Sequence, residues 1–180
     1  MTYSINALGW VMSMKDVLGH QTTYDRDHAS GHVNSMTDPI SRTFRYSYDA
    51  MNRVTGVGYP DTTSVSYVRD GVGNVVKFID QNSKETSYTY DELGRLTQEK
   101  RPLNCITKYE YNNAGFLEKV TNPNGFSTTY SYDALGDVTG IQHPDFGAES
   151  MTYDNNGLLL THKDQLNHTT TYTYDEMNRL

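Results

Sequence analysis

The chain has 180 residues, 36% of them hydrophobic, with a formal net charge of −7 and a pI near 5.2. That acidity argues against nucleic acid or an anionic membrane surface as partner, and without an apolar run of about 18 residues no membrane insertion is expected. Cys105 stands alone, so no intrachain disulfide can form, and no basic segment followed by an apolar run marks a signal peptide in this segment.

In chain order, residues 1–31 are the degenerate part. Tyr3-Ser4-Ile5-Asn6-Ala7-Leu8-Gly9 keeps a spacing that recurs later, but has Ile-Asn where later copies have Tyr-Asp. Tyr24-Asp25 stands out of phase before Gly31, with Asp27-His28 in the usual Tyr-Asp slots, and an irregular, longer loop is expected there. From His32 to Leu180 seven regular units follow without insertion or deletion, so residues 1–31 and 32–180 form the two expected regions.

The regular units repeat Tyr-x-Tyr-Asp-x-x-Gly-x-aliphatic. Its motif residues are Tyr46, Tyr48 and Asp49; Tyr88, Tyr90, Asp91 and Gly94; Tyr109, Tyr111 and Gly115; Tyr130, Tyr132, Asp133 and Gly136; Tyr153, Asp154 and Gly157; and Tyr172, Tyr174 and Asp175. The Gly position is a ruler: Gly9, Gly31, Asn52, Gly73, Gly94, Gly115, Gly136, Gly157 and Asn178. After Gly31 every step is 21 residues, and each occupant is a residue type that tolerates a left-handed backbone. Two positions later each unit has Val or Leu; thirteen positions earlier lie all five prolines. Such a period signals a quasi-one-dimensional array in which each unit buries its apolar face against its neighbours.

Each unit reads as two strands and two turns. Arg53 to Tyr59 is one strand, Pro60-Asp61-Thr62 a turn, Thr63 to Arg69 the second strand, and Asp70-Gly71-Val72-Gly73 the second turn. Proline suits the first turn because its φ is fixed and it lacks an N–H. Asp opening the second turn accepts the N–H two residues on, and Gly or Asn takes the left-handed bend. Phe44, Tyr46 and Tyr48 alternate with Arg45 and Ser47, a period of two that predicts antiparallel β structure. The tyrosines are expected to share one face in contacting rows that also fix register.

These residues resemble the YD repeat, the unit of Rhs proteins, of the C component of insecticidal toxin complexes, of wall-associated bacterial proteins and of teneurins. The resemblance covers essentially the whole chain. It implies an all-β fold of tandem 21-residue antiparallel β-hairpins, a curved or spiralling sheet forming a segment of a hollow shell. In bacterial members that shell encloses a toxic C-terminal domain; in others it is a rigid extracellular scaffold. The expected partners are therefore neighbouring repeats of a longer array and an encapsulated toxin or a cell-surface ligand, and the parent protein is expected to be secreted or cell-surface associated. An Asp-Pro-x-Gly core stretch does not occur in these residues, so a segment of an array, or a short orphan gene, is the expectation. Open strand edges, such as Thr169 to Tyr174, predict edge-to-edge self-association opposed by the net charge of −7.

No catalytic, cofactor or metal residue is assigned. The repeated Asp at 49, 70, 91, 133, 154 and 175 reads as turn capping rather than calcium ligation. Asp145-Phe146-Gly147 imitates a kinase metal motif without its partners, and His28 and His32 are four apart in a segment that does not read as helix. Asn167-His168-Thr169 fits a glycosylation acceptor and is expected in a hairpin strand. Two functions remain: a non-catalytic shell segment that encapsulates or displays a toxin, or a cell-surface module whose Tyr-rich sheet contacts carbohydrate or protein.

Overall fold

A computed structural model describes residues 1–145 and 147–180. Among these residues it is all-β: 17 strands and a single short 3-10 turn at Pro102–Asn104. The chain divides into two compact units, residues 1–87 and 88–180. This division falls inside a strand and does not follow the change in repeat quality at residue 31.

The first unit contains β1 (Thr2–Ile5), β2 (Val11–Lys15), β3 (Gln21–Arg26), β4 (Val33–Thr37), β5 (Thr43–Tyr48), β6 (Val54–Gly58), β7 (Ser64–Arg69), β8 (Val75–Ile79) and the start of β9 (Glu85–Tyr90). Each strand pairs antiparallel with the next in sequence. The second unit contains the end of β9 followed by β10 (Leu96–Arg101), β11 (Cys105–Tyr111), β12 (Leu117–Thr121), β13 (Ser127–Tyr132), β14 (Val138–His143), β15 (Gly147–Tyr153), β16 (Leu159–Lys163) and β17 (Thr169–Thr171). From β10 to β17 the same meander holds. The last strand is shorter than expected, stopping before Tyr172.

Both turns of a repeat have one geometry. In the turn after β13 the Asp133 N–H donates to the Asp137 carbonyl at 3.0 Å and the Gly136 N–H to the Asp133 carbonyl at 3.3 Å. Asp133 Oδ1 then accepts the N–H groups of Leu135 and Asp137 at 2.9 and 3.0 Å. In the proline turn after β12, Asn122 does the same work, with Oδ1 accepting from Asn124 at 2.9 Å and Phe126 at 3.1 Å. A short polar side chain thus satisfies N–H groups that a tight turn leaves without a strand partner. The turn between Asp27 and His32 follows the same plan with one more residue: Asp27 N–H bonds to the His32 carbonyl rather than to the residue four along.

A β-bulge recurs once per repeat at the end carrying the Asp turn. Ser131 opposes Gly140 while Tyr132 opposes Val138, leaving Thr139 as the extra residue, and the same shift occurs at Ser47/Tyr48, Glu110/Tyr111 and Thr152/Tyr153. Bulges sharpen the twist and re-aim side chains. Here the re-aimed residue is always the occupant of the second tyrosine slot.

There is little core. Among the described residues only Val65 and Thr107, at 9% and 8% exposure, are buried, and no large side chain is fully enclosed. In β5 Phe44, Tyr46 and Tyr48 are half-buried while Arg45 and Ser47 are exposed. The exposed face is zipped by polar cross-strand pairs such as Lys119–Glu110 and Lys77–Glu85, each at 2.9 Å.

Candidate functional site

The motif residues converge on junctions between successive repeats. The first tyrosines lie opposite aliphatic residues of the next strand: Tyr46 faces Val57, Tyr109 faces Val120 and Tyr130 faces Ile141. Tyrosine-bearing strands β11 and β13 are separated by β12, which carries Leu117 and Val120. Tyrosine rows therefore alternate with aliphatic rows at about twice the interstrand spacing, near 10 Å. This corrects the expectation of tyrosine rows in mutual contact: the strand that begins each repeat separates them, with Val57, Val120 or Ile141 on that face and Glu99 between Tyr88 and Tyr109.

The second tyrosines are staples. The hydroxyls of Tyr48, Tyr111, Tyr132, Tyr153 and Tyr174 donate to the carbonyls of Val33, Leu96, Leu117, Val138 and Leu159 at 3.0, 2.9, 2.7, 2.9 and 3.0 Å. Each acceptor lies fifteen residues earlier, at the aliphatic position that opens the first strand of the same repeat. The hydroxyl thereby closes the open end of the hairpin whose other end is the proline turn. Tyr90 holds the same slot, and Tyr88 and Tyr172 the first-tyrosine slot. Burial raises the phenol pKa of Tyr48, Tyr132 and Tyr153, as it does for Tyr88 and Tyr109, where the Glu99 carboxylate adds to the effect. A neutral phenol is what donation to a carbonyl requires.

Arg26 performs this task where tyrosine is absent. Its Nε donates to the Val11 carbonyl at 2.9 Å, again fifteen residues back, and its Nη1 to the Gly31 carbonyl at 2.8 Å. Arg69 occupies the same slot less well: Nη1 reaches the Gly73 carbonyl at 3.2 Å, but Nε is buried without a hydrogen-bond partner. Neither substitution is evident in a search for Tyr-Asp, although the shared distance to the ruler position would have found Arg69.

The ruler glycines are required by their backbone, and some also by a close approach. Gly94, Gly115, Gly136 and Gly157 have φ of 77°, 92°, 94° and 80°. In addition, a Cβ at Gly136 would meet the Phe116 ring at 2.6 Å, and one at Gly31 would meet Trp10 at 2.7 Å. At several steps the residue just after a ruler position reaches over the next ruler turn, as Trp10, Arg53 and Phe116 do. From there it also covers a staple: Phe116 stacks on Tyr132 at 5.0 Å, the Arg95 guanidinium lies over Tyr111 at 4.5 Å, and His32 packs on Tyr48 at 4.7 Å. The signal was partial: that position holds Trp10, His32, Arg53, Arg95, Phe116, Leu158 and Arg179, but also the smaller Asn74 and Asp137.

The aspartates stay within their turns. Asp49, Asp91 and Asp175 pair with the Nε of Arg53, Arg95 and Arg179 at 2.8, 2.7 and 2.7 Å, and Asp154 accepts from the N–H of Asn156 and Leu158. The Arg53 and Arg95 backbone N–H bonds are the main cause holding Asp49 and Asp91 below the usual carboxylate range; for Asp175 it is the Arg179 side chain. Among the described residues no three His, Cys, Asp or Glu side chains form a group able to hold a metal. A shallow cleft over Gly56 and Gly58 is lined by Arg45, Ser47, Ser64 and Ser66 and pairs no nucleophile with a base. Phe146 of the Asp-Phe-Gly triplet lies outside the described residues. Asn167, expected in a strand, instead sits in the turn before β17 at a φ of 68°, because Asp164 caps that turn through Leu166 and His168.

Residues 76–150 match the model of the teneurin YD-shell, and residues 28–64 and 153–180 match that of the RHS repeat. The chain belongs to the YD-repeat, or RHS-repeat, family. Among solved structures, it is similar to the TcdB2–TccC3 complex without its hypervariable C-terminal region, at 19% identity and a TM-score of 0.73 over 98% of this chain and 12% of that one. It is similar to TcdB2–TccC3–Cdc42 at 18% identity and a TM-score of 0.73, over 96% of this chain and 12% of that one. The Photorhabdus luminescens Tc holotoxin pore follows at 20% identity and a TM-score of 0.67, covering 84% of this chain and 9% of that one. The YD-repeat chain therefore spans about a tenth of the length of these neighbours, and the likeness is one of fold. Curated protein sequences give no match. The matches fall on repeats of the shell type, and the fold is the expected all-β one.

Proposed function

We propose that this YD-repeat chain is a non-catalytic wall segment of a shell that encloses or displays a toxin or effector domain, within a secreted or cell-surface parent protein. The observation that carries this reading is the fit of 98% of the chain to the TcdB2–TccC3 shell protein at a TM-score of 0.73. The motif chemistry supports it: the staple hydroxyls bond the neighbouring strand and the aspartates cap their own turns, which serves cohesion of a wall. Neighbouring repeats are then the direct partners, and the enclosed polypeptide the indirect one.

The test is protection. The parent polypeptide is treated with a nonspecific protease, before and after a denaturant dose that melts the repeats. An enclosed segment stays intact until the repeats melt. Cleavage of everything outside the repeats while the repeats remain folded would overturn the shell reading, and retention on immobilised glycans or cell walls would then favour the surface module.

A further inference from the structure

One place in the second unit breaks the repeat pattern at three positions that meet. Position 149 is Thr, Phe or Val in every other repeat, as at Thr22, Phe44, Val65, Thr86, Thr107, Thr128 and Thr170; here it is Glu149. Position 162 is apolar in most repeats, as at Met36, Val57, Phe78, Val120 and Ile141; here it is His162. Position 143 opens the proline turn, where Asp38, Asp80, Asn122 and Asp164 cap their own turns and Tyr59 and Arg101 stand elsewhere; here it is His143. Violations of a local rule that coincide in space mark a site with its own task.

The geometry is a three-strand bridge. His143 Nε2 lies 3.0 Å from Glu149 Oε1, His162 Nε2 lies 2.8 Å from Oε2, and Gln165 Nε2 donates to Oε1 at 3.0 Å. One carboxylate thus joins β14, β15, β16 and the turn that follows. Its side chain is only 21% exposed, and those of His143 and His162 are 25% and 32% exposed. Both carboxylate oxygens are taken up by ring nitrogens, so the arrangement is a hydrogen-bonded clasp in which each Nε2 carries the proton.

We propose that His143, Glu149 and His162 form an acid-labile clasp that holds the proline-turn end of β14–β16 closed at neutral pH and releases it when acid neutralises the Glu149 carboxylate. The three donors from His162, Gln165 and His143, in that order of effect, hold the Glu149 carboxyl below its usual range. A carboxyl lowered on folding contributes stability that is complete above its ordinary value, about 4.3, and lost as the pH falls through the folded value. Neutralising Glu149 therefore removes the acceptor that both ring nitrogens and the Gln165 amide share. Few other charges bear on this balance. Asp145 is exposed in the preceding turn, Lys163 is exposed on the opposite face of β16, and Asp164 pairs with His168 at 3.1 Å in the next turn. The flanking strands β13 and β17 contain no ionisable group beyond tyrosine.

The turn aspartates titrate in the same acid range, so the test must be local. Amide hydrogen exchange of the whole chain between pH 6 and pH 3.5, expressed as protection factors, compares Met151 and His162 with Tyr109 and Val120, which hold matching slots in β11 and β12. Protection at Met151 and His162 is expected to fall about tenfold more than at the matched pair. Glu149→Gln removes the titrating group and should abolish that difference. His162→Val installs the residue found at Val57 and Val120, and should keep the fold and equally abolish the difference. Parallel loss of protection at both places in the unaltered chain, or an undiminished difference in the folded His162→Val variant, would overturn the clasp.

Discussion

Tyr132→Phe isolates the staple from everything else the tyrosine does. The ring, its stacking on Phe116 at 5.0 Å and its half-buried position are kept; only the oxygen that donates to the Leu117 carbonyl at 2.7 Å is lost. A neutral intramolecular hydrogen bond contributes a net of about 0.5–1.5 kcal/mol. The Leu117 carbonyl lies at the partly open end of a hairpin, where water can replace the phenol, so the lower half of that range is expected. In a chain of this size about 1 kcal/mol corresponds to roughly 2–4 °C in Tm. Tyr132→Ala removes the ring as well and should cost about 2–4 kcal/mol. Urea denaturation with matched m-values gives both numbers. A second signature lies in alkali. Burial holds the Tyr132 phenol above its ordinary value, so its contribution is complete below about pH 10 and disappears as the pH rises through the folded value. The Tyr132→Phe chain should therefore lose less stability than the parent above about pH 10. If Tyr132→Phe is indistinguishable from the parent at every pH while Tyr132→Ala is costly, the hydroxyl contact is incidental and the staple is only a packed ring.

The converse holds at Arg69, whose Nε is buried and unpartnered: Arg69→Tyr should stabilise the chain by about 0.5–1.5 kcal/mol, and a lower melting temperature would show that the Arg slot is already satisfied. Gly136→Ala should be worse than Gly94→Ala, because both force a left-handed Ala but only the former drives a Cβ into the Phe116 ring. In a Phe116→Ala background the two glycine substitutions should cost the same, and a persistent gap would contradict the close approach. Asp91→Asn should keep the turn, as Asn112 and Asn122 do, while losing the Arg95 pair. Because hydrogen bonds hold the Asp91 carboxyl low, its contribution is present above its ordinary value near 4 and lost as the pH falls, so acid melting of the variant should be flatter; an identical acid profile would exclude Asp91 as a contributor.

The features legible in the sequence were those with a single chemical solution. A left-handed turn residue favours Gly or Asn, and where an overhanging side chain from twenty or so residues earlier comes close, as at Gly31, Gly73 and Gly136, it has to be small; so the ruler reads Gly, with Asn at positions 52 and 178. The Asp opening the turn was legible because an Oδ two bonds from Cβ reaches the N–H two residues on, as it does at Leu93, Leu135 and Asn156. The proline turn was only half legible. Its left-handed position is held by Gly19 and Gly125 but also by Ser41, Thr62, Ser83 and Asn167 at φ of 64°, 71°, 59° and 68°, and Ser and Thr do not advertise that conformation. There the flanking ladder imposes the bend, at a cost that several weak contacts offset. The alternation of tyrosine and aliphatic strands was missed for another reason. In-phase residues of successive repeats are adjacent in sequence period, but each repeat contributes two strands, so like residues never become cross-strand neighbours.

The interchange of tyrosine and arginine at the staple shows what the slot selects. Arg26 and Tyr48 share neither charge nor hydropathy, yet both reach a carbonyl fifteen residues back with a terminal donor on a flat, partly buried body. Each is aimed there by a bulge at its own backbone, between Asp25 and Arg26 and between Ser47 and Tyr48. Because no large side chain is fully enclosed among the described residues, no repeat can rely on a core of its own. Cohesion has to come from contacts between neighbouring strands, within each hairpin and across to the next, each modest and each repeated: the donor to the carbonyl, the overhanging ring or guanidinium on the tyrosine, the aliphatic row between tyrosine rows. A wall built this way tolerates a change of residue at any one slot provided the donor survives. It fails first where the donor is present but its acceptor is not reached, which places the weakest junction of the first unit at Arg69.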